Sequence, residues 1–118
     1  MNKYEILKTY FGYDSFRPGQ REIISALMSG RDALAILPTG GGKSLCYQIP
    51  AICMPGLTLV ISPLISLMKD QEDGLVEMGV AARSLSSATT TEHFTETMRL
   101  ARAGALDLLY VAPERLEL

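Results

Sequence analysis

The eight residues Leu37 to Ser44, Leu-Pro-Thr-Gly-Gly-Gly-Lys-Ser, follow the apolar run Asp32-Ala-Leu-Ala-Ile-Leu37 and lead into the helix-compatible stretch Ser44-Leu-Cys-Tyr-Gln-Ile49. Strand, glycine loop and helix in this order form the context a phosphate-gripping loop requires. Gly40, Gly41 and Gly42 let the main chain adopt the positive φ values that turn successive N–H groups toward a di- or triphosphate. Lys43 supplies a mobile charge for the β- and γ-phosphates, and the Ser44 hydroxyl can ligate the Mg²⁺ that bridges them. The positive end of the following helix would face the same anion. The strict pattern G-x-x-x-x-G-K-[ST] has glycine where Leu37 stands. A glycine-rich strand-to-helix turn with a surface lysine is the plainer alternative.

A chain of 118 residues is one domain or less. Its 47% apolar and 20% charged residues fit a soluble globular core. A net charge of -2 and a pI near 5.3 argue against a generally basic, nucleic-acid-coating protein but permit a local basic stripe. Cys46 and Cys53 lie seven apart in an apolar stretch and read as packed core thiols, rather than a disulfide or half a zinc site, in a reducing cytoplasm. Lys3, Glu5 and Lys8 leave no apolar segment for a secretory signal. The uncharged stretch from Ser44 to Met68 is interrupted by Gln48, Pro50, Pro55, Gly56 and Pro63, so it reads as helix, strand and turn rather than a membrane span.

Ile6, Leu7, Tyr10 and Phe11 stand at helical spacing over 3 to 11, with Gly12 as the stop. Pro18 suits the start of a second helix that carries Ile23, Ile24, Leu27 and Met28 inward and ends at Gly30. Strands read at 32 to 37, 57 to 61, about 80 to 85 and 107 to 111, with helices near 43 to 54, 64 to 78 and 90 to 102. Thr89, three before Glu92, has capping-box spacing. Strands alternating with helices imply right-handed βαβ units and a parallel sheet.

Four segments in this order resemble the RecQ family of superfamily 2 DNA helicases: Phe11-Gly-Tyr-Asp-Ser-Phe-Arg-Pro-Gly-Gln20, Leu37 through Pro50, Val60-Ile-Ser-Pro-Leu-Ile-Ser-Leu-Met-Lys-Asp-Gln71, and Leu109-Tyr-Val-Ala-Pro-Glu-Arg-Leu116. The family commonly has a non-glycine residue where Leu37 stands, so the departure from the strict motif becomes agreement. The resemblance implies an α/β fold: a P-loop NTPase, RecA-like parallel sheet with flanking helices, incomplete over 1–118. It implies an adenine-recognition segment over about 1–30, a phosphate loop over 37–44 and DNA-facing loops near 62–66 and 112–116.

The residues of each segment suit these roles. Tyr13 and Arg17 can sandwich a flat base, and Gln20 can pair with the N6 and N7 edge of adenine. As bare sequence the same residues make an aromatic turn with an exposed arginine. Leu37, Pro38, Thr39, Gly40, Gly41, Gly42, Lys43 and Ser44 are the expected nucleotide contacts. Ser62, Pro63, Leu64 and Ser66 follow a strand, where ligand-contacting loops of parallel sheets occur, and the resemblance makes them contacts to single-stranded DNA. Pro113 and Arg115 follow another strand and receive the same role. Without the resemblance, Arg115 beside Glu114 is a surface ion pair. His93 is a solvated helix residue with no catalytic part.

Two departures stand out. After Lys69-Asp70-Gln71 the family usually continues with an apolar residue, whereas Glu72, Asp73 and Gly74 follow here. Glycine inside a helix costs about 1 kcal/mol relative to alanine, and Asp70, Glu72 and Asp73 crowd negative charge, which marks a weak point. No Asp-Glu-x-His segment occurs before Leu118, and no second RecA-like domain with its arginine finger follows. In the family's sheet, two strands from beyond this point separate the phosphate-loop strand from that at 57 to 61. The expectation is therefore a gap, with apolar side chains open to water and a chain that is partly folded or self-associated.

The reading is the N-terminal part of an ATP-dependent 3′-5′ DNA helicase, using ATP and Mg²⁺ and acting on single-stranded or partly duplex DNA in its longer parent, without catalysis by the fragment alone. The parent would be cytoplasmic, and nucleoid-associated if bacterial. A stand-alone, non-catalytic nucleotide-binding or interaction protein is the rival. An RNA helicase of the DEAD-box group fits the Phe-Arg-x-x-Gln and Gly-Gly-Gly-Lys-Ser-Leu-Cys-Tyr-Gln strings less well.

Overall fold

Asn2 starts the first helix through a reciprocal cap: its Oδ1 accepts the Glu5 N–H at 2.9 Å, and Glu5 Oε1 accepts the Asn2 N–H at 3.3 Å. Helix α1, Lys3–Phe11, ends at Gly12, whose φ of 75° is the left-handed cap a glycine takes without strain. These features come from a computed structural model that describes residues 1–36 and 42–117. The chain divides into two units, Met1–Pro55 and Gly56–Leu118.

The first unit holds α1, α2 (Gln20–Met28) and α3 (Leu45–Cys53). Ile6, Leu7, Ile24 and Ile49 form its core, with Tyr10, Phe11, Phe16 and Leu45 packed around them. Pro18 does not open α2. It sits in a turn, and Gly19 at φ 88° occupies the N-cap, so the helix begins at Gln20. Pro50 lies inside α3 and is buried there, rather than interrupting it. Its ring forfeits one bond to the carbonyl four residues back, while Cys46, Ile49 and Ala51 bury the same helix against its neighbours. Cys46 and Cys53 are free thiols, both pushed to higher pKa by desolvation.

The second unit is a three-stranded parallel sheet with helices: β1 (Thr58–Ile61), α4 (Ile65–Glu77), β2 (Ala82–Leu85), α5 (Thr91–Arg102), β3 (Leu108–Val111) and a 3₁₀ turn, Pro113–Glu117. The strand order is β1-β3-β2, with Leu108 opposite both Thr58 and Ala82. All four residues of the central β3 are buried. Leu85, Leu109 and Val111 pack against Phe94 and Met98 of α5. This is the expected α/β architecture, a parallel sheet with flanking helices consistent with an incomplete RecA-like fold.

Further readings are corrected. Residues 32–36 form no strand, and Leu34 and Ile36 are 92% and 89% exposed. An extended apolar run becomes a strand only when a neighbour takes up its N–H and C=O groups, and the ladder among the described residues contains only β1, β3 and β2. The cap of α5 is Thr90, whose side chain accepts the His93 N–H at 3.2 Å, because the Thr89 hydroxyl is already taken by the Ser86 N–H at 2.9 Å. Helix α4 runs unbroken through Gly74. Its acidic crowd is relieved by Lys69, which lies 3.3 Å from Glu72 and 3.2 Å from Asp73, and by the Ser84 hydroxyl, which donates to the buried Glu72 carboxylate. Arg115 makes no ion pair with Glu114; its partners are described below.

Candidate functional site

Two groups of predicted residues can be followed, one in each unit. In the first, α2 begins immediately after the Phe16-Arg17-Pro18-Gly19 turn, which places Gln20 in the first helical position with its side chain 1% exposed. Gln20 Oε1 accepts the Arg17 N–H at 2.8 Å, and Gln20 Nε2 donates to the Gly42 carbonyl at 3.0 Å, across 22 residues of sequence. One buried amide thus pins the turn carrying Arg17 to Gly42, the last glycine of the expected phosphate loop. Gly42 has φ 78°, and a Cβ there would collide with the Gln20 amide. Glycine is required here both by backbone conformation and by space.

Lys43 is exposed, and Ser44 is the N-cap of α3. The Ser44 hydroxyl makes no capping bond, while its carbonyl accepts the Gln48 N–H at 3.0 Å. The helix therefore starts beside Lys43 with the Ser44 oxygen not committed to a cap. Leu37, Pro38, Thr39, Gly40 and Gly41 lie outside the described residues. Tyr13 is half exposed, and Arg17 is exposed on the turn that Gln20 holds. In this structure, pairing of Gln20 with adenine requires its amide to leave Gly42. A cavity of about 410 Å³ adjoins the turn, lined by Tyr4, Phe16, Arg17, Pro18 and Arg21 among others. Tyr13 is not part of that lining.

In the second unit the residues expected to face DNA lie beyond the C-terminal ends of parallel strands. Ser62 continues from β1, donating its N–H to the Val111 carbonyl at 3.1 Å while its hydroxyl accepts the Leu64 N–H at 3.1 Å. Pro63, Leu64 and Ser66 are exposed at the start of α4. Pro113 is exposed at the start of the 3₁₀ turn. Arg115, by contrast, is turned onto the protein. Its Nε donates to the Ser86 carbonyl at 2.8 Å, its Nη2 to the Thr89 carbonyl at 3.3 Å, and the guanidinium lies 4.9 Å from the Phe94 ring centroid. Glu114 Oε1 accepts the Ser87 N–H at 3.2 Å. Its own backbone N–H and that of Ser87 hold the Glu114 carboxyl below the usual range. Sequence reasoning missed the loop at 86–90, which carries no motif of its own.

Among the described residues no group of three His, Cys, Asp or Glu could hold a metal ion, and no helix is long and apolar enough to cross a membrane. The family model for DEAD/DEAH box helicases matches residues 17–118. The chain belongs to that family. Within it, the chain is 56% identical over 110 residues to the ATP-dependent DNA helicase RecQ of Haemophilus influenzae, covering 93% of this chain and 18% of that protein. RecQ of Pasteurella multocida is 54% identical over 111 residues, 94% of this chain and 18% of the relative, and RecQ of Bacillus subtilis 50% over 112 residues, 94% and 19%. The RecQ resemblance read from the four segments therefore extends over nearly the whole chain. The chain spans less than a fifth of the length of these relatives.

Proposed function

We propose that this chain provides the nucleotide-binding segment, and part of the strand-binding surface, of an ATP-dependent 3′-5′ DNA helicase. The observation that carries the reading is the Gln20 amide, which joins the base-recognition segment to Gly42 of the phosphate loop. ATP is the assigned ligand, with Tyr13 and Arg17 at the base, Gln20 reaching it once its amide leaves Gly42, and residues 37–44 at the phosphates. The RecQ relatives are named as ATP-dependent DNA helicases, which supports both ATP and DNA as ligands. Mg²⁺ fits the donor set: Ser44 offers one hydroxyl with no cap to make, and a cation of this kind takes most of its remaining ligands from phosphate and water. When bound it neutralises phosphate charge, and Lys43 adds a second positive group beside it.

Single-stranded or partly duplex DNA is assigned to the strand-end loops at 62–66 and 112–116, where exposed Ser66 and Pro113 and the N-terminus of α4 suit a backbone contact. The 118 residues alone are assigned no DNA-stimulated ATP hydrolysis. They are expected to self-associate, since β1 presents Leu59 and Ile61, 55% and 57% exposed, on a strand paired only with β3 among the described residues. Calorimetric titration with Mg·ATP tests the nucleotide assignment. Lys43→Ala is expected to weaken binding about 10-fold or more through loss of a charge-assisted contact. Equal affinity in a mutant with an unchanged unfolding transition would refute the phosphate role.

A further inference from the structure

We propose that two copies of this chain pair through their β1 edges, antiparallel about a two-fold axis at Val60, so that Leu59 of one copy opposes Ile61 of the other. This rests on the self-association expected above and names its surface, symmetry and register.

The main chain fixes which groups are on offer. Thr58 donates its N–H to the Asp107 carbonyl at 3.0 Å and Ser62 to the Val111 carbonyl at 3.1 Å, so residues 58, 60 and 62 turn their backbone groups toward β3. Leu59 and Ile61 turn theirs to the opposite side, where no strand takes them up among the described residues. Such a row is a template for a further strand. The side chains of the same two residues share a face. Leu59 stands beside Leu109 and Ile61 beside Val111, the pair that α5 covers with Phe94 and Met98. Leu59 and Ile61 continue that apolar face, yet each is more than half exposed.

Charge favours a second copy as the occupant. No charged residue occurs from Met54 to Met68, so two identical edges meet without like-charge repulsion. The other edge strand, β2, carries Arg83, a charge of the kind that discourages edge pairing. Association is thus directed to β1, and an isologous contact there closes as a dimer.

Symmetry then selects the register. Rotation about a two-fold axis normal to the sheet keeps every side chain on its own face, so opposed residues are both odd-numbered or both even-numbered. Opposing Leu59 to Ile61 uses the outward-turned residues twice, and each pair exchanges both of its N–H···O bonds. Val60 meets its own copy between them, and the Leu59 and Ile61 side chains of both copies form one apolar patch. An axis at Ile61 would oppose Leu59 to Pro63, which has no N–H to give. An axis at Leu59 would need Leu57, which lies outside β1.

Sedimentation velocity of the 118-residue chain over a concentration series measures the association itself, and a dimer is expected. Leu59→Lys and Ile61→Glu, both at exposed positions, are each expected to weaken it about 10-fold. The double variant Leu59→Lys/Ile61→Glu sets a lysine opposite a glutamate twice in this register, and is expected to return to within about 3-fold of wild type. A double variant no tighter than either single one would overturn the register. Wild-type association in both single variants would overturn the β1 interface and leave self-association standing. A monomeric wild type would overturn both. Should the variants lose their unfolding transition, hydrogen exchange of the wild type decides. Protection of the Leu59 and Ile61 amides that rises with protein concentration supports the pairing, and protection independent of concentration overturns it.

Discussion

Residues 32–36, Asp-Ala-Leu-Ala-Ile, and residues 108–111, Leu-Leu-Tyr-Val, are both short, largely apolar runs, and they end in opposite states. The second is a central strand, paired on both sides and buried at every position. The first is in no ladder and leaves Leu34 and Ile36 almost fully in water. Composition does not separate them. What separates them is whether other strands lie alongside to take up N–H and C=O groups and cover the side chains, so strand identity is a property of the sheet more than of the segment. The β1 edge gives the intermediate case, with one neighbour and alternate residues half exposed.

The largest expected effect comes from truncating the same side chain in each run. Leu108→Ala should cost about 2 to 5 kcal/mol in denaturant unfolding, as for other buried leucines. Leu34→Ala should stay within about 0.5 kcal/mol. Similar losses at both positions would mean that the 32–36 run is packed, and the comparison would fail. A smaller effect sharpens it from the helix above the sheet. Thr97 of α5 is 0% exposed, and its hydroxyl is a buried side-chain group with no hydrogen-bond partner among the described residues. Burial that stabilises Leu108 should here be paid for by an unmade bond, so Thr97→Val should stabilise by about 1 kcal/mol. Destabilisation in the same unfolding assay would reveal a partner for that hydroxyl.

Much of this was legible before any coordinates. The five helices among the described residues followed from apolar spacing and from stops such as Gly12, and three strands followed from apolar runs before Ser-Pro, Ser-Ser and Ala-Pro turns. The family was legible because four long strings recur in order. The partners of Gln20 and Arg115 were not. Both bind main-chain carbonyls 22 to 29 residues away. Every residue carries a carbonyl, so no side-chain pattern marks which one is used. The ion pair of neighbours Glu114 and Arg115 fails for the same reason, since each side chain finds a better-placed backbone group in the 86–90 loop. The burial of Glu72 also depended on a distant residue, Ser84, brought beside it by the packing of α4 on β2. Local signals located the elements, and long-range backbone geometry decided what the polar side chains do.

The central claim is that base segment and phosphate loop form one site because Gln20 holds Gly42. Titrating the wild type and Gln20→Ala with ATP, GTP and pyrophosphate in the presence of Mg²⁺ tests it most directly. The account predicts that Gln20→Ala narrows the difference between ATP and GTP and also weakens pyrophosphate, a ligand with no base, by about 5-fold or more because Gly42 is released. Unchanged pyrophosphate affinity alongside weakened ATP would contradict it, reducing Gln20 to a reader of the base alone.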